Sequence, residues 1–124
     1  MPKISKDTRS IGFKGEKYAG IILQEKGYKI LEYNFYTRLG EIDLIAEDND
    51  TLVFVEVKLR RSKRFGMPEE SVTLKKLEKI KKTGQIYLKK NKLKYYKLRI
   101  DVVSLLFEKD ELVREKLLKG VYLW

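Results

Sequence analysis

From Leu39 to Arg60 the chain reads LGEIDLIAEDNDTLVFVEVKLR, two runs of mainly apolar positions interrupted by Asp48-Asn49-Asp50-Thr51. Residues 41–46 (Glu-Ile-Asp-Leu-Ile-Ala) and 52–59 (Leu-Val-Phe-Val-Glu-Val-Lys-Leu) are rich in strand formers between turn formers, which predicts a β-hairpin. A period of two puts Glu41, Asp43 and Ile45 on one face, with Phe54, Glu56 and Lys58 on one face of the second strand. Ile42, Leu44, Ala46, Val53, Val55 and Val57 take the opposite faces. Pairing through that loop sets Leu44 opposite Val55 and Ile42 opposite Val57, an apolar face. The same register sets Asp43 opposite Glu56 and Glu41 opposite Lys58, and a slip by two residues keeps the faces while changing these partners.

The remaining elements follow from the same patterning. Helical spacing from about Thr8 to Lys26, with Asp7 or Ser10 as N-cap and Gly27 as stop, puts Gly12, Glu16, Ala19, Gly20 and Leu23 on one face. The small residues Gly12, Gly15, Ala19 and Gly20 allow that helix close to a sheet, and Glu16 lies on the inward stripe or snorkels from its edge. Tyr28 to Asn34 reads as the first strand. A second helix is expected from about Met67 to Asn91, with the stripe Leu74, Leu77, Ile80, Gly84, Tyr87 and Leu88, and with Pro68, Glu69 and Glu70 at its amino end. Lys94 to Phe107 reads as a long strand with Arg99 and Asp101 on one face, and Leu112 to Trp124 as a last one after the turn at 108–111. Helix, three strands, helix, strand, strand predicts an α/β sandwich: a central mixed sheet flanked by helices. One domain over 1–124 is expected, with 1–7 as a loose basic arm.

Composition narrows the chemistry. The 124 residues include no cysteine and no histidine, which removes thiolate or imidazole metal sites and Ser-His-Asp or Cys-His catalysis. Carboxylates, lysines, hydroxyls or an oxygen-held metal remain. A net charge of +10, from 28 basic and 18 acidic residues, points to a polyanionic partner, nucleic acid before a membrane surface. With neither a long apolar run nor a signal-like start, the expectation is a soluble cytoplasmic protein without membrane contact. High Lys and Glu content without Cys also resembles heat-adapted composition, which accounts for part of the charge.

Like charges opposed across a hairpin destabilise it, so Asp43 facing Glu56 calls for a reason. A divalent cation between the carboxylates is one; an ordinary surface ion pair of Asp43 with Lys58 or an arginine is the other. Arg60, Arg61, Lys63 and Arg64, with Phe65, form a basic loop suited to phosphates and a stacked base, or a merely solvated one. Lys75, Lys76 and Lys79 begin a lysine-rich helix that only Glu78 balances, and a phosphate track is the better reading of it.

Glu16, Asp43, Glu56 and Lys58 together resemble the active site of the PD-(D/E)xK nuclease superfamily, in the form typical of archaeal Holliday-junction resolvases. Those proteins also place a glutamate on the first helix ahead of an Asp…Glu-x-Lys hairpin. Over nearly its full length the chain resembles the YraN-like family of small bacterial proteins, through RSIGFKGEKYA at 9–19, GYKILEYN at 27–34, GEIDLIA at 40–46, FVEVKLR at 54–60, the Lys75-Lys76 region and RIDVV at 99–103. The resemblance implies a restriction-endonuclease-like core in which Asp43, Glu56, the Val57 carbonyl and Glu16 surround Mg2+ or Mn2+. It puts Lys58 beside the attacking water and the scissile phosphate. Ile42 stands where the superfamily has a proline, a residue that shapes the strand and supplies no ligand.

The leading expectation is therefore a metal-dependent nuclease acting on DNA rather than RNA, with branched or structured DNA implied by the resolvase resemblance. Two-site action of that kind would take a homodimer. The alternatives are a nucleic-acid-binding module that keeps the fold without turnover, and an interaction protein whose carboxylates pair with Arg99 or Lys58. Glu41, one alternation from Asp43, would bind a second ion, contact water or pair with Lys58, and Arg99 and Asp101 are accessory candidates.

Overall fold

The computed structural model describes residues 11–95, 97–122 and 124; the N-cap candidates Asp7 and Ser10 and the basic arm lie outside them. The elements run α1 (Ile11–Glu25), β1 (Lys29–Thr37), β2 (Gly40–Asp48), β3 (Thr51–Arg60), α2 (Leu74–Lys90), β4 (Lys97–Glu108) and β5 (Glu111–Tyr122). All five strands form one sheet in sequence order, antiparallel except for the parallel pair β3–β4. A parallel pair needs a crossover, and α2 supplies it. The result is the expected α/β arrangement, a mixed sheet with a helix on each face, compatible with a restriction-endonuclease-like sandwich. Among the described residues no helix is long and apolar enough to cross a membrane.

Each face carries its own core. Tyr18, Ala19, Ile22 and Leu23 of α1 pack on Leu44, Ala46, Val53, Val55, Val103, Leu105 and Phe107. Leu77, Ile80 and Tyr87 of α2 pack on Phe35, Ile42, Ile45, Leu52, Phe54 and Ile100. Glycine sets the closeness of both layers: a Cβ on Gly15 would stand 2.8 Å from Leu59 Cδ1, and one on Gly84 would stand 2.5 Å from the Phe54 ring. The helix α1 stops at Gly27, whose φ of +92° suits glycine. There the Tyr28 amide donates to the Leu23 carbonyl and the Gly27 amide to that of Gln24, a Schellman closure.

The second helix is shorter than its pattern suggests. Pro68–Ser71 forms a separate 3-10 turn, and Thr73, in extended conformation, caps α2 by accepting the Lys76 amide at 3.2 Å. Leu74 is 64% exposed rather than part of the stripe. At about 100° per residue it lies roughly 120° from the middle of the stripe formed by Ile80, Thr83, Gly84 and Tyr87.

The simple alternation also fails at one place in the hairpin. Tyr33 pairs with Leu44 and packs in the α1 layer, whereas Phe35 pairs with Ile42 and packs in the α2 layer. Both strands thus change faces between these pairs, at the level of Asn34 and Asp43, and Asn34 adopts φ +55° there. Ile42 accordingly joins Ile45, not Leu44, and the expected apolar face through Ile42 and Val57 does not form. A left-handed residue reverses the pleat, which no period-two reading anticipates.

Candidate active site

The face change opens the sheet at the carboxylates. The β2–β3 ladder runs from Asp48–Thr51 to Leu44–Val55 and stops. Where the next backbone partner would stand, Asp43 Oδ2 accepts the Val57 amide at 2.8 Å. Amide and carbonyl of an extended residue leave the strand on the same edge, so the Val57 carbonyl also faces this opening. Glu41 does not stand against Lys58 as an in-register ladder would have it; its carboxylate pairs with the Tyr36 hydroxyl.

Asp43 and Glu56 do come together, although the alternation breaks at Asp43 and the ladder stops one pair short of them. Asp43 is 9% exposed and Glu56 3%. Burial first, then hydrogen bonding and like charge from Glu56, push the Asp43 carboxyl from its ordinary 3.8 up to about 8, against the opposing Val57 amide. At neutral pH Asp43 therefore keeps its proton unless a cation takes its place. Lys58 Nζ lies 3.6 Å from Glu56 Oε2.

Glu16 reaches the same opening from α1. Burial raises its pKa, a hydrogen bond from the Asn34 side chain counters this, and the charges of Glu41 and Glu56 add to the rise. Among the described residues no three carboxylates are grouped so as to hold a metal ion. Glu16 thus stands at electrostatic range from the buried pair, its carboxylate hydrogen-bonded by Asn34. The pair itself fits a hard divalent cation: two buried carboxyl groups that would repel each other if both ionised, beside a carbonyl on the same strand edge.

The basic candidates surround this end of the sheet. Arg60 ends β3 half-buried, while Arg61, Lys63 and Arg64 are exposed in the following loop, with the Arg64 guanidinium 5.5 Å from the Phe65 ring centre. Phe65 is 75% exposed. Glu69 ties the far end of the loop to the sheet: it accepts from Arg114 at 2.7 and 3.0 Å and from Ser104 Oγ at 2.6 Å, and Ser104 is the cross-strand neighbour of Lys58. These donors hold the Glu69 carboxyl down at about 2. Its place in the chain suited a helix start; only the structure shows it anchoring the loop.

The lysines of α2 divide. Lys75 and Lys79 are exposed, whereas Lys76 belongs to the inward stripe and brings Nζ within 3.7 Å of Glu56 Oε2. The signal was its spacing, four residues before Ile80, but its charge grouped it with the outward lysines.

Arg99 and Asp101 form a separate network. Asp101, fully buried, accepts from Tyr28 Oη at 2.7 Å, Arg99 Nε at 2.8 Å and the Gly120 amide at 3.0 Å, while Arg99 also holds Asp48 at 2.7 Å. With these partners the group ties β4 to β2, β5 and the end of α1 and leaves Asp101 satisfied.

Comparison with known proteins covers this whole region. The chain is 52% identical over 100 residues to the UPF0102 protein of Syntrophomonas wolfei, covering 81% of this chain and 87% of that one. It is 45% identical over 116 residues to the UPF0102 protein of Caldanaerobacter subterraneus subsp. tengcongensis, covering 94% and 93%. A third relative, the UPF0102 protein of Persephonella marina, is 50% identical over 94 residues, covering 76% and 81%. The model of the uncharacterised protein family UPF0102 matches residues 15–105, a span that runs from the first helix through the carboxylate pair to the fourth strand, and the chain belongs to that family.

Proposed function

We propose that the protein is a divalent-cation-dependent nuclease of the PD-(D/E)xK superfamily, hydrolysing phosphodiester bonds in DNA, with branched or structured DNA as its preferred substrate. The observation that carries this reading is the buried pair Asp43 and Glu56, which cannot both ionise without repulsion, where the β2–β3 ladder ends, with Lys58 beside it. Such a pair is costly to keep and has a use when a cation fills it.

Asp43, Glu56 and the Val57 carbonyl would hold Mg2+ or Mn2+. When bound, the ion supplies Lewis acidity, making water a nucleophile at neutral pH and offsetting charge on the phosphoryl oxygens. Lys58 orients the attacking water and sets a positive charge against the phosphorane as it develops. The Val57 amide fixes the Asp43 carboxylate, so its geometry does not depend on the ion. Arg60, Arg61, Lys63, Arg64, Lys75 and Lys79 bind phosphates without reading bases, in keeping with recognition of DNA by shape.

The test is cleavage of labelled four-way-junction, duplex, flap and single-stranded DNA with magnesium or manganese, in the native protein, Asp43→Ala and Lys58→Ala. Cleavage by the native protein, reduced at least about 100-fold in both variants with DNA binding retained, is the expected result. A second reading, a nucleic-acid-binding module without turnover, draws on one observation: Glu56 already has two lysine counter-ions. Salt-sensitive binding equal in all three proteins, with no cleavage of any substrate, would establish that module instead.

A further inference from the structure

Two ammonium groups converge on a single oxygen. Lys58 Nζ is 3.6 Å and Lys76 Nζ 3.7 Å from Glu56 Oε2, distances at which attraction is Coulombic and no close hydrogen bond is made. The two lysines are held differently. Lys58 belongs to the strand that carries Glu56, two residues on, and pairs in register with Ser104 of β4. Lys76 crosses from the other layer on a four-carbon stem, its backbone pinned by the Thr73 cap and its side chain 38% exposed. Its root is fixed while its head has solvent to move into.

A divalent ion seated between Asp43 and Glu56 puts two positive charges next to that head, and repulsion then opposes the attraction of Glu56. A phosphate arriving at the same opening offers the displaced ammonium a new anion. We propose that Lys76 is the resident counter-ion of Glu56, that a divalent cation displaces it, and that the released ammonium then contacts the DNA backbone; this rests on the cation-dependent nuclease reading above. Cation and DNA binding are thereby coupled through one side chain, and each strengthens the other.

The experiment compares native protein with Lys76→Ala, Lys76→Gln, Lys76→Arg and the outward control Lys79→Ala, each checked without metal for a native circular dichroism spectrum and a cooperative melt. Affinity for a labelled junction is measured against KCl concentration in EDTA and again in calcium, used as a cation that supports binding. With calcium, Lys76→Ala and Lys76→Gln should lower the slope of log affinity against log salt by about one and weaken binding several-fold; in EDTA they should match the native protein. Lys76→Arg should restore most of the calcium-dependent part, and Lys79→Ala should behave alike in both conditions. In parallel, manganese titrated calorimetrically should bind Lys76→Ala several-fold to about tenfold more tightly than native protein. A Lys76 effect on DNA binding that is equal in EDTA and calcium, or absent from both, overturns the proposal, as does unchanged manganese affinity. Absence of manganese binding in every protein overturns the cation site itself and this proposal with it, whereas binding without a Lys76 effect overturns this proposal alone.

Discussion

The Val57 amide donates a 2.8 Å hydrogen bond to Asp43 Oδ2, one step beyond the last backbone pair of the β2–β3 ladder. A side chain thus takes the partner that backbone would have supplied. The strands part without leaving that donor unsatisfied, and the carboxylate is locked against Glu56 by a group that does not titrate.

That arrangement predicts an unusual pH dependence. The Asp43 pKa is raised on folding, from 3.8 to about 8, so between those values the folded state holds a proton that the unfolded chain has lost. Stability therefore declines as pH rises through this window, by at most about 1.4 kcal/mol per unit, and levels off above it. The raised Glu16 pKa acts in the same direction. Asp43→Asn, which cannot ionise, should melt several degrees higher than the native protein at pH 9 and lose that advantage at pH 4. Millimolar manganese should raise the native melting temperature at pH 8 and leave Asp43→Asn unchanged; equal shifts in both would show the ion bound elsewhere.

Glu69 gives a prediction of opposite sign. Its carboxyl is lowered to about 2 by Arg114 and Ser104, so its contribution is present above the ordinary value of 4.5 and lost as pH falls toward 2. Glu69→Ala should cost about 1–3 kcal/mol in urea denaturation at pH 7, the range for a charge-assisted hydrogen-bonded anchor. The loop from Ser62 to Met67 should then be cut faster by trypsin at Lys63 and Arg64. An unchanged rate would mean that the loop is held by other contacts.

Asp101 tests whether the second polar cluster is structural. Asp101→Ala removes the acceptor shared by Tyr28, Arg99 and the Gly120 amide inside the sheet. A loss of about 3 kcal/mol in urea denaturation is expected. Manganese affinity of the protein that remains folded should not change. A metal-binding defect at full stability would instead place Asp101 in the cation site.

Gly84 tests the packing of α2. An alanine Cβ there would meet the Phe54 ring at 2.5 to 2.9 Å, and Phe54 is fully buried. The gain in helix propensity, about 1 kcal/mol, is smaller than the combined cost of the clash and displacement of Phe54, so Gly84→Ala should be destabilising by about 1–3 kcal/mol. A melting temperature at or above that of the native protein would show that the helix lifts from the sheet at little cost.

Much of this protein was legible from local rules, because those rules act between near neighbours in the chain. Alternation in 41–46 and 52–59 identified the hairpin, three-to-four spacing in 77–87 identified the inward side of α2, and Gly27 marked the end of α1. The meeting of Asp43 with Glu56 followed from hairpin register, since a short turn leaves few ways to align two strands. Three things depended on tertiary structure. The left-handed Asn34 reversed the pleat and sent Ile42 to the other layer, an outcome set by packing on two opposite helices. Glu69 found Arg114 forty-five residues away, across a crossover whose path no local pattern encodes. Lys76 was chemically indistinguishable from its neighbours until the docking of α2 over β3 brought its charge to Glu56, because proximity across a sandwich is fixed by how layers stack and not by spacing along the chain.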